Sequence, residues 1–313
     1  MRIVISEFMD EAAVAGLAAQ FDTLYDKGLV DHPGELRHRL AAADALIVRN
    51  RTQVDRDLLA GATALKVVGR LGVGLDNIDV DACRERRIEV IRATGANALA
   101  VAEYVIGTAM FLLRGAYASS AAVGRGEWPR AALSNGRELA GKTLGVVGFG
   151  SIGRLTGRLG RALGMRVIGF DAHIVPSSGT WSDEGVEARR FDALLADADV
   201  VALHVPLVAA TRHLIDAARL LQMKPGAILI NTARGGVVDE SAVAAALMSG
   251  RLGGAAFDVF EQEPLAAGSP LAGCPNLLLT PHIAGVTAES NTRVSTLIAE
   301  QVATALQRIG APG

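Results

Sequence analysis

Arg234, Glu263 and His282 combine an anion-binding group with two groups suited to proton transfer. The planar guanidinium of Arg234 can hold a carboxylate through two parallel hydrogen bonds. The imidazole of His282 exchanges a proton near neutral pH, and a hydrogen-bonded glutamate would fix its tautomer and favour its charged form. These groups suit hydride transfer between a 2-hydroxy acid and its 2-keto acid, where the carboxylate needs a counter-charge and the oxygen needs a proton.

The positions of the three residues along the chain predict a shared site. Each follows an apolar, strand-like run, and these runs are AILIN, GAAFDV and NLLLTP. Open α/β sheets bind ligands at the carboxyl ends of their strands, so the three side chains are expected at one sheet edge. The alternative is a surface pair of Arg234 with Glu263 and an ordinary loop position for His282. A rival histidine, His204, has no acidic neighbour and is expected to pack at a strand end.

A glycine-rich turn upstream of these segments predicts a dinucleotide-binding site. The turn follows the strand-like run TLGVVGF and opens a helical pattern, and its residues are Gly148, Gly150, Ser151, Ile152 and Gly153. In such a turn the first glycine permits a tight bend and the second lets a pyrophosphate approach bare backbone. The third glycine allows the helix to pack closely on the strand. The amino terminus of the helix would donate its unpaired N–H groups to the phosphates.

Asp171 predicts which dinucleotide is bound. It follows Gly153 by 18 residues, at the end of the run MRVIGF. A carboxylate at this distance accepts hydrogen bonds from ribose hydroxyls and repels a 2′-phosphate. No arginine follows in DAHIVPSSG, so NAD is favoured over NADP as the cofactor. The alternative is that Asp171 only caps the next element.

Alternating short β-branched runs and helical patterns predict an α/β fold with two doubly wound parallel sheets. The first series covers residues 1–97, and a long apolar helix of about 98–115 leads into a second, longer series that ends near residue 285. A closing helix of about 288–308 is expected to pack back on the first unit. The predicted domains are therefore 1–97 with 286–313, for the substrate, and 98–285, for NAD.

Composition favours small-molecule chemistry in the cytoplasm. The 31 basic and 33 acidic side chains nearly cancel and form no basic run, so neither nucleic acid nor a membrane is the expected partner. The start MRIVISEF opens directly into a strand pattern rather than a secretion signal. Cys83 and Cys274 are too few for a disulfide framework or a zinc site, and no metal is expected.

The chain resembles the D-isomer-specific 2-hydroxyacid dehydrogenase family along essentially its whole length. The resemblance rests on GRLGVGLDNID, VAEYVIG, GFGSIG, HVPL, NTARGGVVDE, FDVFEQEP and TPHIAG. It implies a flavodoxin-like substrate domain, an inserted Rossmann domain that binds NAD, and a homodimer. One departure is Thr94 in ATGAN, where many relatives have proline, which affects the local turn.

The resemblance also implies roles for individual residues. Arg234 would anchor the substrate carboxylate, His282 would be the general acid and base, and Glu263 would be its partner. Backbone N–H groups around Val73 and Gly74 would also hold the carboxylate. The remaining positions that match cofactor-lining residues are Val205, Thr232, Ala233, Asp258 and Gly285. Of these, Asp258 would contact the nicotinamide amide.

Arg49 and Arg70 narrow the expected substrate to a small acid with a second anionic group. Both follow strands of the first series, and a dianion needs cations at both ends. The runs LIVRNRTQV and PHIAGVTAESN are similar to members of the family that oxidise (S)-3-sulfolactate to 3-sulfopyruvate. The alternative for Arg49 and Arg70 themselves is that they are simple solvated arginines. The alternative functions are 3-phosphoglycerate oxidation, hydroxypyruvate or glyoxylate reduction, formate oxidation, and a non-enzymatic NAD(H)-sensing protein of the corepressor type.

Overall fold

A computed structural model describes residues 1–311, and these form two compact units. The first unit comprises Met1–Asn97 and the segment that begins at Val286, and the second unit is Ala98–Gly285. The last two residues of the predicted segment 286–313 lie outside the described residues. Both units contain a wholly parallel sheet, which confirms the predicted α/β class with two parallel sheets.

The first unit is a five-stranded sheet in the order β2-β1-β3-β4-β5, the flavodoxin-like order. Its strands are β1 Arg2–Ile5, β2 Asp22–Tyr25, β3 Ala45–Val48, β4 Val67–Arg70 and β5 Glu89–Arg92. Its helices are α1 Glu11–Ala18, α2 Pro33–Leu40, α3 Arg56–Gly61, α4 Val80–Glu85 and α12 Ala288–Gly310. The strand order reverses between β1 and β3, and such a switch point is where sheets of this kind bind ligands.

Alternating side chains of this sheet enter two cores, one on each face. Ile3 and Ile5 pack with Ile298 and Val302 of α12, whereas Val4 packs with residues of α2, α3 and α4. This alternation follows from the period of two along a strand. The closing helix therefore completes a core begun by the first residues of the chain. Both cysteines are free thiols, and Cys83 is buried in this unit.

The second unit is a seven-stranded sheet in the order β12-β11-β10-β9-β6-β7-β8. Its strands are β6 Thr143–Val147, β7 Arg166–Phe170, β8 Glu187–Ala188, β9 Val200–Leu203, β10 Ala227–Asn231, β11 Leu252–Phe257 and β12 Leu277–Leu279. Its helices are α5 Ala98–Arg114, α6 Ser120–Gly124, α7 Ser151–Ala162, α8 Gly179–Asp183, α9 Phe191–Asp197, α10 Ala217–Gln222 and α11 Glu240–Met248. The first six strands along the chain have the Rossmann order 3-2-1-4-5-6, with β12 added at the edge.

Local differences from the sequence prediction are confined to short elements. The sequence of residues 211–222 predicts one helix, but the structure has a 3-10 turn at Ala209–Thr211 and then α10. The side chain of Asp216 accepts the N–H of Arg219, and this cap starts the helix late. The short helix α8 and the two-residue strand β8 were not predicted, because neither is long enough to show a period.

Within residues 1–311, no single helix has the length and apolar character needed to cross a membrane. Helix α5 and the helical segment Ala116–Gly124 reach that threshold only as a pair, and they are bent by 67°. Helix α5 contributes Val105, Ala109 and Leu112 to the core of the second unit.

Candidate active site

The carboxyl ends of the parallel strands in the second unit carry the predicted cofactor and catalytic residues. Since all seven strands are parallel, these ends share one edge of the sheet. Along the chain, the residues that follow the strands are Gly148 after β6, Asp171 after β7, Val205 after β9, Thr232, Ala233 and Arg234 after β10, Asp258 and Glu263 after β11, and His282 after β12. Gly285 is the last residue of the unit.

The three glycines of the fingerprint have different surroundings. Gly148 has a φ of +91°, and a Cβ there would lie 2.6 Å from the carbonyl oxygen of His204. A Cβ on Gly153 would lie 2.1 Å from the oxygen of Gly148. Gly150 differs, because a Cβ there would meet no atom within 4 Å. The turn therefore needs its first and third glycines to fold, while the second leaves an open cradle of bare backbone.

This cradle lies at the start of α7, where a pyrophosphate would fit. Gly150 is the N-cap residue of α7 and provides no side-chain cap, so the first N–H groups of Ser151, Ile152 and Gly153 face the cradle without one. An anion of NAD placed there would receive those N–H groups and the positive end of the helix dipole. The residues present therefore fit the pyrophosphate of a dinucleotide.

Asp171 connects the end of β7 to the glycine turn. Its Oδ2 accepts the backbone N–H of Phe149 at 2.7 Å, and its Oδ1 accepts that of His173 at 2.8 Å. Both are structural hydrogen bonds of the kind expected if Asp171 only capped the next element. Each carboxylate oxygen has a second lone pair, so Asp171 retains acceptors for two ribose hydroxyls.

His282 and Glu263 are in direct contact. Nδ1 of His282 lies 2.8 Å from Oε2 of Glu263, while Oε1 of the same carboxylate accepts the N–H of Phe260 at 3.1 Å. The ionised carboxylate can only accept, so the proton of the imidazole lies on Nδ1 and Nε2 is the basic nitrogen. The pair is partly exposed, with relative side-chain exposures of 46% for His282 and 38% for Glu263. It is accessible to a substrate.

The loop that carries Arg234 is packed against the loop that leads to Glu263. Asn231 stabilises its turn, since its Oδ1 accepts the N–H of Ala233 and its Nδ2 donates to the oxygen of Arg234, both at 3.1 Å. At Gly235 the two backbones approach so closely that a Cβ would lie 1.7 Å from the oxygen of Phe260. The guanidinium also donates to the oxygen of Ala233 at 2.6 Å. Packing thus brings the predicted anchor and the predicted proton-transfer pair to neighbouring loops.

Asp258 supports the segment that contains His282. The residue is 2% exposed, and its Oδ1 accepts the hydroxyl of Thr280 at 2.6 Å and the N–H of Ile283 at 2.8 Å. Its Oδ2 accepts the N–H of Ala284 at 2.8 Å. These bonds hold the side chain of Thr280 before His282 and the backbone after it. The contact with a nicotinamide amide remains a prediction.

His204 is partly buried and has the properties of a structural residue. Its Nε2 is buried without a hydrogen-bond partner among residues 1–311, and burial lowers its pKa to about 4. The imidazole is therefore neutral at physiological pH. Oγ1 of Thr232 is likewise buried and unpartnered in that part of the chain, at the same edge of the sheet. Both atoms offer polar contacts next to the glycine turn.

In the first unit, Arg49 lies at the switch point between β1 and β3. The buried carboxylate of Glu7, after β1, accepts the backbone N–H groups of Arg49 at 2.9 Å and of Thr52 at 3.0 Å. The guanidinium donates to Oδ1 of Asn291 on α12 at 2.7 Å and lies over the ring of Phe8, 5.8 Å from its centroid. Burial lowers the pKa of Arg49. No carboxylate of residues 1–311 pairs with this guanidinium at salt-bridge distance, although the charge of the nearby Glu7 partly offsets the effect of burial on its pKa.

The guanidinium of Arg70 contacts its own loop, whereas that of Arg49 contacts helix α12. The guanidinium of Arg70 folds over its own loop, where Nη1 donates to the oxygen of Leu71 at 2.9 Å and packs against Gly72. The next two residues, Val73 and Gly74, donate no backbone hydrogen bond to any described residue. Two such N–H groups at a strand end suit a carboxylate.

Several contacts of the site lie outside the sequence prediction. Tyr104, Asn231 and Asn291 were not predicted, because each acts through a partner that the sequence alone does not place. Thr280 precedes PHIAG directly, and its position could have indicated a structural role. No group of three or more histidines, cysteines or carboxylates suited to a metal ion occurs within residues 1–311.

Comparison with known proteins relates this architecture to one family. Residues 106–284 match the model described as D-isomer specific 2-hydroxyacid dehydrogenase, NAD binding domain. The chain is 55% identical to an (S)-sulfolactate dehydrogenase from Chromohalobacter salexigens, over 97% of this chain and 98% of that enzyme. It is 39% identical to a D-3-phosphoglycerate dehydrogenase from Methanocaldococcus jannaschii over 96% of this chain, but it spans only 57% of that protein's length.

A solved structure of a related enzyme has the same fold as this chain. A glyoxylate reductase from Paecilomyes thermophila superposes with a TM-score of 0.86 at 30% identity, covering 98% of this chain and 96% of that one. Fold, glycine turn and sequence identity agree, and they confirm the predicted enzyme class and its cofactor. The chain belongs to the D-isomer specific 2-hydroxyacid dehydrogenases, NAD-dependent oxidoreductases of 2-hydroxy acids.

Proposed function

We propose that this protein oxidises (S)-3-sulfolactate to 3-sulfopyruvate with NAD. Two observations support the substrate: the 55% identity to an (S)-sulfolactate dehydrogenase, and the half-buried Arg49 at the switch point of the first unit. The latter carries the proposal, because a half-buried guanidinium whose side-chain hydrogen bond goes to the neutral amide of Asn291 retains further donors for an anionic ligand. The S label is compatible with a D-specific family, since sulfur raises the priority of the sulfomethyl arm.

In this proposal the second unit performs the chemistry. His282 Nε2 removes the proton of the C2 hydroxyl, and Glu263 stabilises the resulting imidazolium through Nδ1. Arg234 holds the substrate carboxylate with its planar fork. Bound NAD would supply the acceptor for the hydride that leaves C2. In the reverse direction, the imidazolium of His282 returns the proton to the keto oxygen.

The cofactor is held by residues of the strand ends in the second unit. The backbone N–H groups of Ser151, Ile152 and Gly153 bind the pyrophosphate in the cradle at Gly150. Asp171 accepts ribose hydroxyls through its remaining lone pairs. The other proposed cofactor contacts are Gly148, Val205, Thr232, Ala233, Asp258 and Gly285.

The first unit is proposed as the substrate-binding domain, made of residues 1–97 and 286–313. The N–H groups of Val73 and Gly74 bind the carboxylate, and Arg49 binds the sulfonate. Arg70 is also proposed to contact the substrate, although its guanidinium folds over Leu71 and Gly72 in this structure. In this proposal Arg234 binds the carboxylate and Arg49 binds the sulfonate, and Arg70 is a third cation for the dianionic substrate.

A substrate panel tests the proposal. We expect kcat/KM with NAD to be highest for (S)-3-sulfolactate, lower for 3-phosphoglycerate, and lowest for D-glycerate and D-lactate. Arg49→Met keeps an unbranched side chain in place of the aliphatic part of arginine but removes the charged guanidinium. We expect it to lower kcat/KM for sulfolactate by about 10- to 100-fold, the value of one charge-assisted hydrogen bond. D-Lactate oxidation should change little, since lactate has no second anion.

Arg51→Met is the matched control, because Arg51 is two residues away, exposed, and paired with Asp31. It should leave the ranking of substrates unchanged. A higher kcat/KM for 3-phosphoglycerate than for sulfolactate would reassign the substrate. Equal losses for sulfolactate and lactate in Arg49→Met would remove the role of Arg49.

We also propose that the enzyme acts as a homodimer in the cytoplasm, with neither nucleic acid nor a membrane as partner. The near balance of 31 basic and 33 acidic side chains supports the absence of a polyanionic partner. Exposed apolar side chains in the segment after α5 support the dimer. Trp128 is 77% exposed and Val123 is 43% exposed.

A further inference from the structure

A chain of hydrogen bonds connects Tyr104 on α5 to the segment that contains His282. The hydroxyl of Tyr104 lies 2.7 Å from Oγ1 of Thr280, and Oγ1 lies 2.6 Å from Oδ1 of Asp258. Asp258 accepts the backbone N–H groups of Ile283 and Ala284. The chain therefore holds the side chain of Thr280 before His282 and the backbone after it.

The chemistry of these groups fixes the direction of each hydrogen bond. The ionised carboxylate of Asp258 has no proton to donate, so Thr280 gives its single hydroxyl proton to Asp258. Oγ1 of Thr280 must then accept from Tyr104. Burial raises the pKa of Tyr104, so its hydroxyl stays protonated and can donate at neutral pH.

His282 needs such support because its backbone is in an unfavourable conformation. Its φ is +56°, in the left-handed region that residues with a Cβ rarely adopt. Its N–H donates to the oxygen of Thr280 at 3.0 Å, so the position of Thr280 affects that of His282 directly. Strain of this kind persists only where the surrounding contacts hold the backbone.

We propose that Tyr104 is a positioning residue for His282 and acts through Thr280 and Asp258. Its hydroxyl fixes the rotamer of Thr280, which aligns Asp258 with the N–H groups of Ile283 and Ala284. Tyr104 needs no contact with substrate or cofactor for this role. The proposal rests on the assignment of His282 as the proton acceptor.

Tyr104→Phe tests the role, since it removes only the hydroxyl and leaves the partly buried ring in place. We expect kcat to fall about 3- to 10-fold, as for the loss of one partly buried hydrogen bond, with KM and NAD affinity little changed. Tyr117→Phe is the matched control, because Tyr117 loses the same atom from a side chain that is 58% exposed. An unchanged kcat for Tyr104→Phe would overturn the proposal.

A double-mutant cycle with His282→Ala separates positioning from a general structural effect. If Tyr104 acts through His282, adding Tyr104→Phe to His282→Ala should leave the residual rate unchanged. A further loss by the same factor would show that the hydroxyl acts independently of His282 and would overturn the proposal. Thr280→Val breaks the next bond, so its effect on kcat should not add to that of Tyr104→Phe.

The same cycle distinguishes failure of this proposal from failure of the proposed function. His282→Ala alone should lower kcat by roughly 10²–10⁴-fold. If that loss occurs while Tyr104→Phe matches the unmodified enzyme, only the role of Tyr104 is wrong. Full activity of His282→Ala would overturn both.

Discussion

A carboxylate on one nitrogen of an imidazole determines which nitrogen can accept a proton. Glu263 contacts Nδ1 of His282, whereas Glu261 contacts Nε2 of His213 at 3.1 Å. Both glutamates belong to the segment FEQEP, so one stretch of chain supports two histidines in opposite ways. Of these two histidines, only His282 has Nε2 available as a base, since Nε2 of His213 already contacts a carboxylate.

Glu263→Gln is expected to lower kcat by roughly 10²–10⁴-fold. Oε1 of the glutamine can keep the bond to the N–H of Phe260, which turns the amide NH2 toward Nδ1 of His282. The imidazole proton then moves to Nε2, which can no longer accept one. Steady-state kinetics at saturating substrate and NAD measures the effect.

Glu261→Gln is the matched control, with the same chemical change two residues away on an exposed pair. It should leave kcat close to that of the unmodified enzyme. Similar losses in both variants would indicate a general effect of charge in this segment. An undiminished kcat in Glu263→Gln would contradict the assigned role of the pair.

At the scale of elements, two glycines of the turn between β6 and α7 have different roles, one in folding and one in binding. The space beside Gly153 is filled by the backbone of Gly148, whereas the space beside Gly150 is open. A methyl group therefore has different consequences at two positions of one motif. At Gly153 a methyl group would disturb the packing of α7 on β6, and at Gly150 it would enter the space expected for the ligand.

Gly153→Ala is expected to lower the free energy of unfolding by about 1–3 kcal/mol, because the added methyl group must displace backbone. Gly150→Ala should change that free energy by less than about 1 kcal/mol. Its NAD affinity should nevertheless fall at least roughly 10-fold, since the methyl group occupies the anion cradle. Urea unfolding without NAD and calorimetric titration with NAD measure the two effects. A normal NAD affinity in Gly150→Ala would show that the pyrophosphate binds elsewhere.

The main strands could be predicted because nearly all of their residues are apolar. Strands such as β3 and β10 are buried along their whole length, so they appear in the sequence as apolar runs. Parallel pairing then placed the residues after those runs at one edge. Strand β8 has only two residues and gives no such signal.

Contacts across the sequence explain why part of the site could not be predicted. Tyr104 and Thr280 are separated by 176 positions, and Arg49 and Asn291 by 242. Neither pair has a spacing that indicates contact, since each depends on which helix packs beside which strand. The contact of His282 with Glu263 joins two predicted loops, and the strand pattern had already placed both at the same edge.

At the scale of the whole molecule, the two ends of the described chain build one core. The N–H of Asp10 donates to Oγ of Ser295 at 3.0 Å, and Arg49 contacts Asn291, both on α12. The closing helix thus supplies a polar side chain to the strand ends as well as apolar side chains to the core. The second unit can therefore be inserted without interrupting the first sheet.

Assembly of two copies is the remaining property of the whole molecule that the chain allows us to predict. We expect light scattering to give twice the chain mass of 32.5 kDa. Trp128→Asp should shift the mass toward a single chain, because a charge in a desolvated contact disfavours association. The indole of Trp128 is 77% exposed, an unusual environment for so large an apolar side chain in an isolated subunit.

Leu221→Asp is the control, since Leu221 is 69% exposed on α10, away from this segment in sequence. A dimer that survives Trp128→Asp would place the interface elsewhere, and a single-chain mass for the unmodified protein would exclude the dimer.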